Sequence, residues 1–299
     1  METVDGQALL VGLSLSDDLR AVAQDRLIPV PPLPLSCFII AKNEADRIGR
    51  TIAAVKDLVG EVIVVDSGST DGTQDAATKA GARVVFNEWP GFGQQKRFAE
   101  GLCRNQWALN IDADEVISPG LANEIRALFA TGEPPLAAYR LRINNVYPGH
   151  DRPRLWANDH VVVRLYDRRR VRFKDSTLHD SVDVTGQSVA TLRGEVYHFS
   201  MRTFDEMVEK ADERMRYNAD HAKRKPTWQL AVRVVFEFPF AFMRYYFVRR
   251  HFTGGLIGFE TAVVGAYSRF IRIARMLEAQ RHPQLGDERG AARLNERRR

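Results

Sequence analysis

The sequence has few cysteines and no long apolar run. Its 299 residues include two cysteines, Cys37 and Cys103, which stand in no CxxC or CxxH spacing. A disulfide framework or a cysteine-based zinc site is therefore not expected, and a reducing compartment fits. No run of about 18 uncharged apolar residues occurs, so we predict no membrane-spanning helix. The acidic first residues, which lack an apolar core, predict no secretory signal.

The glycine patterns of two nucleotide-binding motifs are also missing. Gly91-Phe92-Gly93 precedes a predicted helix, but position 96 is lysine where the dinucleotide fingerprint GxGxxG requires glycine. No GxxxxGK[ST] sequence occurs, so a P-loop is excluded as well. Lys96 and Arg97, at the start of that helix, are instead placed to face a phosphate or a sugar.

Charge is unevenly distributed along a chain that is 44% hydrophobic, a fraction that excludes global disorder. Residues 200–299 contain 20 Lys and Arg against 12 Asp and Glu, whereas residues 1–199 contain 23 against 26. The basic, aromatic-rich C-terminal part favours docking to an anionic surface, although a solvated helical face would carry the same charge. No nucleic-acid-binding motif accompanies the charge, so nucleic acid is not an expected partner.

Between residues 35 and 130, apolar strand-like runs alternate with helical patterns. Predicted strands cover 35–41, 61–66, 83–86 and 107–112. Predicted helices follow from the apolar spacing of Ile48, Ile52, Val55 and Val59, from residues 73–80 before Gly81, from residues 94–102, and from the N-cap Ser118-Pro119. This alternation predicts an α/β fold with a mainly parallel sheet flanked by helices. Ligands of such sheets bind at the carboxyl ends of the strands.

The pattern changes after residue 130. Short strand-like pieces at 139–147, 161–166, 182–184 and 195–199 predict a strand-rich segment, and helices resume at Thr203. Near the C-terminus one apolar stripe runs along a predicted helix through Leu256, Phe259, Val263, Tyr267, Phe270, Ala274 and Leu277. We divide the chain into an N-terminal extension (1–34), a catalytic domain (35–200, with halves 35–130 and 131–200), a helical C-terminal region (201–280) and a basic tail (281–299).

Two acidic side chains follow the fourth predicted strand. In Asp112-Ala113-Asp114, residues i and i+2 of a strand end would project to the same side and would require a cation between them. A divalent ion that also binds diphosphate oxygens suits such a pair, whereas the alternative is a loop that caps the next helix. The small residues after Asp66, through Thr73, would let a ligand approach the backbone.

A histidine–aspartate pair stands in the strand-rich segment. His179 precedes Asp180, and a carboxylate beside an imidazole in a cleft can act as a general base. A purely structural role of the pair is the alternative. His198 lies in the same segment.

Taken together, these motifs resemble those of the family 2 inverting glycosyltransferases, which have the GT-A fold. The resemblance runs from Ser36 to about Phe129 and continues more weakly through most of the chain. It rests on Ala41-Lys42-Asn43-Glu44, Val64-Val65-Asp66-Ser67-Gly68-Ser69-Thr70-Asp71-Gly72-Thr73 and Asn110-Ile111-Asp112-Ala113-Asp114-Glu115. Trp89-Pro90-Gly91-Phe92-Gly93-Gln94-Gln95-Lys96 is similar to a stretch of the lipopolysaccharide core-biosynthesis β-glucosyltransferases.

The resemblance implies a nucleoside diphosphate sugar donor, Mg²⁺ or Mn²⁺ as cofactor, and inversion through direct attack by an acceptor hydroxyl. By position it assigns nucleotide-sugar binding to Lys42, Glu44, Asp66, Gln95, Lys96 and Asp112. Metal binding falls to Asp112, Asp114 and His179, with His198 as the alternative histidine. Asp180 is the expected catalytic base, with Glu195 and Asp151 in reserve, although the subgroup usually has Glu at the position of Asp180. Residues 150–160 match the subgroup poorly.

We therefore expect a metal-dependent inverting hexosyltransferase. It would move glucose from UDP-glucose to a lipid-linked saccharide, such as the lipopolysaccharide inner core, at the inner face of the cytoplasmic membrane. Alternatives are the same fold acting on a protein or soluble acceptor, and an inactive sugar-nucleotide-binding protein, against which the presence of both Asp112 and Asp114 argues.

The helical C-terminal region is expected to lie on an anionic membrane surface without crossing it. Residues 230–248 are rich in Phe, Tyr and Val, but Arg233, Glu237 and Arg244 interrupt them, and Pro239 is expected to break or kink any helix. Charged side chains in hydrocarbon cost about 2.5–3.5 kcal/mol each, whereas an interfacial position avoids this cost. Packing against the catalytic domain or a dimer contact is the alternative.

Overall fold

The computed structural model describes residues 31–157, 160–176, 180–220 and 225–281. The strands are β1 (Leu33–Ala41), β2 (Val59–Asp66), β3 (Arg83–Phe86), β4 (Trp107–Asn110), β5 (Glu115–Ile117), β6 (Ala138–Asn145), β7 (His160–Asp167), β8 (Arg172–Phe173), β9 (Val182–Asp183) and β10 (Val189–His198). The helices are α1 (Ile48–Val55), α2 (Thr73–Lys79), α3 (Phe92–Gly101), α4 (Pro119–Leu128), α5 (Phe204–Asp220), α6 (Thr227–Met243) and α7 (Gly255–Arg281). A π-helical turn, Arg244–Val248, and a 3₁₀ turn, His251–Gly254, connect α6 to α7.

Eight strands form one mixed sheet in the order β3-β2-β1-β4-β7-β6-β10-β5. Strands β3, β2, β1 and β4 are parallel, as are β6 and β10. Strand β7 is antiparallel to both β4 and β6, and β5 is antiparallel to β10. The predicted mainly parallel α/β sheet with flanking helices is confirmed. The strand-rich segment after residue 130 extends this same sheet.

Apolar side chains cover both faces of the sheet. Alternate residues of β1 show this, because Cys37 and Ile39 pack into one hydrophobic cluster and Phe38 packs into another. Residues of α1, α2 and α4 contribute to the first cluster and Ala99 of α3 to the second. Burial on both faces explains why these strands read as continuous apolar runs in the sequence. The polar residues that follow the strands are left at the carboxyl edge.

Local sequence signals account for several helix ends. Gly81 has φ +101°, the conformation that favours glycine after a helix, and α2 ends just before it. The hydroxyl of Ser118 accepts a hydrogen bond from the backbone N–H of Leu121, with Pro119 at the first position of α4. One predicted assignment was wrong, because Val59 begins β2 and does not extend the apolar stripe of α1.

The C-terminal helices differ from the sequence prediction in two respects. Helix α6 continues through Pro239 to Met243 and packs against α7, so the proline, which removes one backbone hydrogen bond, does not end it. The predicted apolar stripe is not the buried face of α7, since Leu256, Phe259 and Tyr267 are exposed. The buried residues of α7 are mostly small, and of them Leu277 alone belongs to the predicted stripe: Gly258, Ala262, Val264, Ala266, Ser268, Ile273, Met276 and Leu277. No helix in the described ranges combines the length and apolarity that a membrane crossing requires.

Candidate functional site

The loops after β1 and β2 are held together by hydrogen bonds. Asn43, in the left-handed region at φ +57°, donates its backbone N–H to Ser69 Oγ at 2.9 Å, and its side-chain oxygen accepts from the N–H of Thr70 at 3.0 Å. The backbone N–H of Glu44 donates to Thr73 Oγ1 at 2.8 Å. These bonds join two of the segments that the sequence singles out. Lys42 is exposed beside them.

Asp66 and Gln95 are buried and hold loops in place. Asp66 accepts the backbone N–H groups of Gly68 and Ser69 at 2.9 Å each, and Gln74 Nε2 at 2.8 Å. Gln95 Nε2 donates to Ser67 Oγ at 2.9 Å. Both side chains therefore fix the conformation of the loop that would receive a ligand. The hydrogen bonds described for them are all to other residues of the chain.

Asp112 lies in a turn between β4 and β5 and contacts two buried cations. Its carboxylate is 2.7 Å from Lys96 Nζ and 2.6 Å from a terminal nitrogen of Arg164. Burial opposes ionisation of Asp112, but Arg164 and Lys96 outweigh burial and lower its pKa. Glu115, which is also buried, pairs with Arg164 at 3.0 Å. Asp112 is therefore a stabilised carboxylate at the carboxyl edge of β4.

Asp114 faces a different partner. Its Oδ2 is 3.3 Å from His198 Nε2, at the end of β10, and 3.7 Å from Arg47. Burial opposes ionisation of both Asp114 and His198, but their mutual contact lowers the pKa of Asp114 and raises that of His198. The two aspartates of the motif thus have separate cationic partners, because the backbone turns between them and does not continue as a strand.

Asp180 joins the site through Lys96. The ammonium group of Lys96 contacts Asp180 Oδ2 at 2.6 Å and Asp112 Oδ1 at 2.7 Å, so one buried lysine links the expected base to the acidic motif. His179 lies outside the described residues. Of the reserve candidates, Glu195 accepts from Asn144 Nδ2 at 3.1 Å, and Asp151 lines a separate cavity.

The exposed fractions of the four side chains differ, so that two of them form the buried base of the site and two reach its surface. Lys96 is 1% exposed and Arg164 is 8% exposed, whereas Asp112 and Asp180 are 31% and 34% exposed. The two carboxylates can therefore meet a ligand while the two cations lie beneath them. Glu44, also near this edge, pairs with Arg47 and with Arg202, and burial raises its pKa.

Sequence reasoning missed the roles of Arg47 and Arg164. Arg164 is the one charged residue in the apolar run of β7, and its position opposite Asn110 places it beneath the motif. A charged residue inside a buried strand is a signal that could have indicated it, because such groups need a buried partner. Arg47 gave no comparable signal, since exposed arginines are common before helices.

The fit of a divalent ion can be judged from the donors present. Among the described residues, no group of three or more His, Cys, Asp or Glu side chains forms a ready metal site. Asp114 and His198 nevertheless bring a carboxylate and an imidazole to within 3.3 Å of each other, and Asp112 belongs to the same turn. Carboxylates suit Mg²⁺ and Mn²⁺, so the donor set fits an ion whose remaining ligands come from a bound diphosphate or water.

Comparisons with known proteins identify the family of the chain. Residues 36–189 match the profile of Glycosyl transferase family 2. An uncharacterized glycosyltransferase of Rickettsia prowazekii is 37% identical over 256 residues, 81% of this chain and 86% of the relative. The lipopolysaccharide core biosynthesis glycosyltransferase LpsC of Rhizobium meliloti is 30% identical over 259 residues, 85% of this chain and 94% of the relative.

A crystal structure of glucosyl-3-phosphoglycerate synthase from Mycobacterium tuberculosis with Mn²⁺, UDP and glucosyl-3-phosphoglycerate is 28% identical. The match covers 38% of this chain and 44% of that one, at a TM-score of 0.31. The fold and the sequence relatives define a glycosyltransferase. The chain belongs to glycosyl transferase family 2 and has a GT-A-type fold.

Proposed function

We propose that the protein transfers a hexose, with inversion, from a nucleoside diphosphate sugar to a lipid-linked saccharide. The observation that carries this proposal is the contact of Lys96 with both Asp112 and Asp180 at 2.7 and 2.6 Å. It places an aspartate of the motif that would bind the donor beside a partly exposed carboxylate that can act as a base. UDP-glucose is the first donor to test, because the subgroup that the sequence resembles consists of glucosyltransferases.

Asp180 is proposed to act on the acceptor. Its carboxylate takes the proton of the acceptor hydroxyl while the hydroxyl oxygen attacks the anomeric carbon. The new C–O bond forms on the face opposite the diphosphate, and the electron pair of the breaking bond leaves with the diphosphate. This single displacement inverts the configuration. Lys96, which is 84 residues from Asp180 in the sequence, keeps this carboxylate at the acidic motif.

The diphosphate is proposed to lie on the other side of the anomeric carbon from the base. Asp114, His198 and Asp112 would hold a divalent ion, which would neutralise charge on the departing diphosphate. Lys96 and Arg164, buried beneath these side chains, add fixed positive charge without reorganisation during the reaction. Asp66 and the loop it orders would receive the nucleoside.

The proposed acceptor class rests on two supports. The first is the similarity to LpsC over most of both chains. The second is an exposed apolar surface on α6, the connection to α7 and the first turn of α7, which we call the apolar face. Its members are all at least half exposed: Trp228, Val232, Val235, Phe236, Phe240, Met243, Phe247, Val248 and Leu256. An apolar surface of this kind suits a membrane interface, where Arg244, Arg249 and Arg250 would meet anionic headgroups.

Internal pairing removes charge from the apolar face. Glu237 is buried and contacts Arg233 at 2.9 Å and Arg269 of α7 at 2.8 Å. Two of the charges that interrupt the apolar sequence are therefore paired with each other, and Glu237 faces α7. The helix pair thus combines an apolar exterior with a polar link inside, an arrangement that supports interfacial binding.

The donor half of the proposal is tested with a panel of nucleotide sugars, with and without Mn²⁺. We expect metal-stimulated hydrolysis of one donor, and an inverted linkage in the transfer product by NMR. Asp180→Asn should abolish transfer and spare donor binding. Donor binding without turnover of any sugar would instead indicate an inactive binding protein, and equal loss of donor affinity in Asp180→Asn would place Asp180 in the diphosphate site.

The membrane half is tested by sedimentation with anionic vesicles at low and high salt. We expect pelleting at low salt that is weakened by salt. Phe236→Ser with Phe240→Ser should reduce pelleting, and Phe204→Ser, an exposed aromatic on α5, serves as the matched control. Absence of pelleting at low salt would leave packing or a dimer contact as the role of the apolar face.

A further inference from the structure

A cavity of about 500 Å³ lies outside the site described above. It is formed by the loop that follows β6 and by the 3₁₀ turn before α7, and it has a volume typical of small-molecule sites. Its lining residues are Tyr147, His150, Asp151, Arg152, Pro153, Arg154, Thr253 and Gly254. We call it the basic cavity.

Contacts between distant segments build this cavity. Tyr147 Oη lies 2.7 Å from His251 Nδ1 and accepts from Arg154 Nε at 3.0 Å. Arg154 also donates to the backbone carbonyl of Arg249 at 2.7 Å. A Cβ at Gly254 would lie 2.4 Å from the Tyr147 ring, so glycine is required there for the turn to approach the loop. The walls are therefore packed and hydrogen-bonded.

The cavity has an excess of positive charge. Within the described residues Arg152 and Arg154 make no ion pair, and Arg154 is held by a hydroxyl and two carbonyls. His150 adds an imidazole, and Asp151 is the one carboxylate of the lining. Burial, together with Arg154 and Arg249, lowers the pKa of His251 behind the wall to about 4. An arginine without a carboxylate partner is suited to bind an external anion.

The basic cavity lies next to the acidic motif and to the apolar face. Asn145 pairs in register with His198, and the N–H of Val146 donates to the His198 carbonyl at 2.9 Å, so the loop leaves the sheet beside Asp114. On its other side the 3₁₀ turn, His251–Gly254, follows two residues after the π-helical turn that carries part of the apolar face. A molecule in the cavity would lie between the two.

We propose that the basic cavity binds the acceptor through an anionic group, a phosphate or a carboxylate, on its saccharide. This inference rests on the proposed function. Arg152 and Arg154 supply the guanidinium donors, and Tyr147 and the 3₁₀ turn close the wall. The anion anchors the saccharide beside the site while an attached lipid would extend along the apolar face.

The binding test needs no donor and uses soluble probes. The full chain is titrated by calorimetry with glucose 6-phosphate, galacturonate, inorganic phosphate and glucose. These probes distinguish recognition of the sugar from recognition of its anionic group. We expect the two acidic sugars to bind more tightly than inorganic phosphate, and glucose to bind most weakly. Arg152→Gln should weaken binding of the acidic sugars by about tenfold or more, the effect of one lost charge-assisted hydrogen bond. Arg193→Gln, an exposed charge change in the middle of β10, is the matched control.

Three results would overturn the inference. One is equal binding of glucose and the acidic sugars, and another is unchanged affinity in Arg152→Gln. The third is loss of vesicle binding in Arg152→Gln without loss of sugar binding, which would make the cavity a lipid headgroup site. Because these titrations require no turnover, failure of the glycosyl transfer itself would be recognised separately, in the donor panel. If transfer occurs, Arg152→Gln should raise the KM of an anionic acceptor more than that of the donor.

Discussion

Replacing Lys96 with methionine removes the cation that links Asp112 to Asp180 and keeps a side chain of similar length. Loss of one partner from a buried ion pair costs about 3–5 kcal/mol. Here both carboxylates are about one-third exposed and Asp112 keeps Arg164, so water and the remaining arginine offset part of this cost. We expect about 2–3 kcal/mol of destabilisation, or a Tm lower by about 5–10 °C.

The same change should impair catalysis beyond its effect on stability. Without the Lys96 contacts at 2.6 and 2.7 Å, Asp180 loses its attachment to the acidic motif. At a temperature where the variant is folded, kcat should fall about 100-fold, within the usual range for a general base, with a smaller change in donor KM. Steady-state kinetics with the donor that the enzyme uses measure the loss of activity. Thermal melting followed by circular dichroism measures the loss of stability.

Two comparisons make this prediction refutable. Lys79→Met, an exposed residue of α2, changes the net charge equally and should leave Tm and kcat unchanged. If Lys96 acts through Asp180, the double variant Lys96→Met with Asp180→Asn should lose little more activity than Asp180→Asn alone. Losses that multiply, or a Lys96→Met protein with normal Tm and kcat, would refute the positioning role.

The remaining predictions concern metal, packing and pH. Asp114→Asn should lower Mn²⁺ affinity and metal-stimulated transfer by about 100-fold or more while the fold survives, as calorimetry and kinetics would measure. Gly194→Ala should destabilise by about 1–3 kcal/mol, because the new Cβ would lie 2.4 Å from Leu121 Cα, and chemical unfolding measures this cost. The pKa of His251 is lowered to about 4, so the unfolded chain binds more protons between that value and about 6.5. Lowering the pH from 7 to 5 should therefore remove about 1 kcal/mol of stability, allowing for partial exposure, and His251→Gln should flatten this dependence.

Each of these has its own check. Asp57→Asn is the matched control for the metal test, since its side chain is exposed and distant from the motif, and near-normal metal response in Asp114→Asn would contradict the assignment. Gly49→Ala, with open space around its Cβ, should not destabilise, and equal stability of both glycine variants would contradict the packing account. A stability profile that His251→Gln leaves unchanged would show that other groups set the pH dependence.

Local patterns in the sequence predicted much of the sheet and several helix ends. Residues 35–41 and 61–66 lie in strands, Ser118-Pro119 begins a helix, and Gly81 follows one. These predictions succeed because apolar runs and cap residues act over a few neighbouring positions. The order of the motifs was also sufficient to indicate the family, which the sequence relatives confirm.

Long-range contacts decided what local patterns could not. Which histidine faces Asp114 depends on how β10 aligns with the rest of the sheet, and the structure brings His198 there. Arg164 reaches Asp112 across antiparallel strands, from 52 residues away. The roles of Lys42, Asp66, Gln95 and Asp180 in binding and catalysis stay predictions.

The sequence by itself determined the kind of fold and the residues available at the carboxyl edge of the sheet. Hydrophobic periodicity and turn chemistry are properties of adjacent residues, so they can be read without knowing the fold. Only the tertiary structure decided which cation meets which carboxylate and which face of α7 is buried. The predicted stripe failed there because small residues such as Ala262 and Ala266 allow close packing, while Leu256 remains exposed. Pairing of charges and choice of a packed face depend on partners that are distant in the chain, and sequence spacing does not encode those distances.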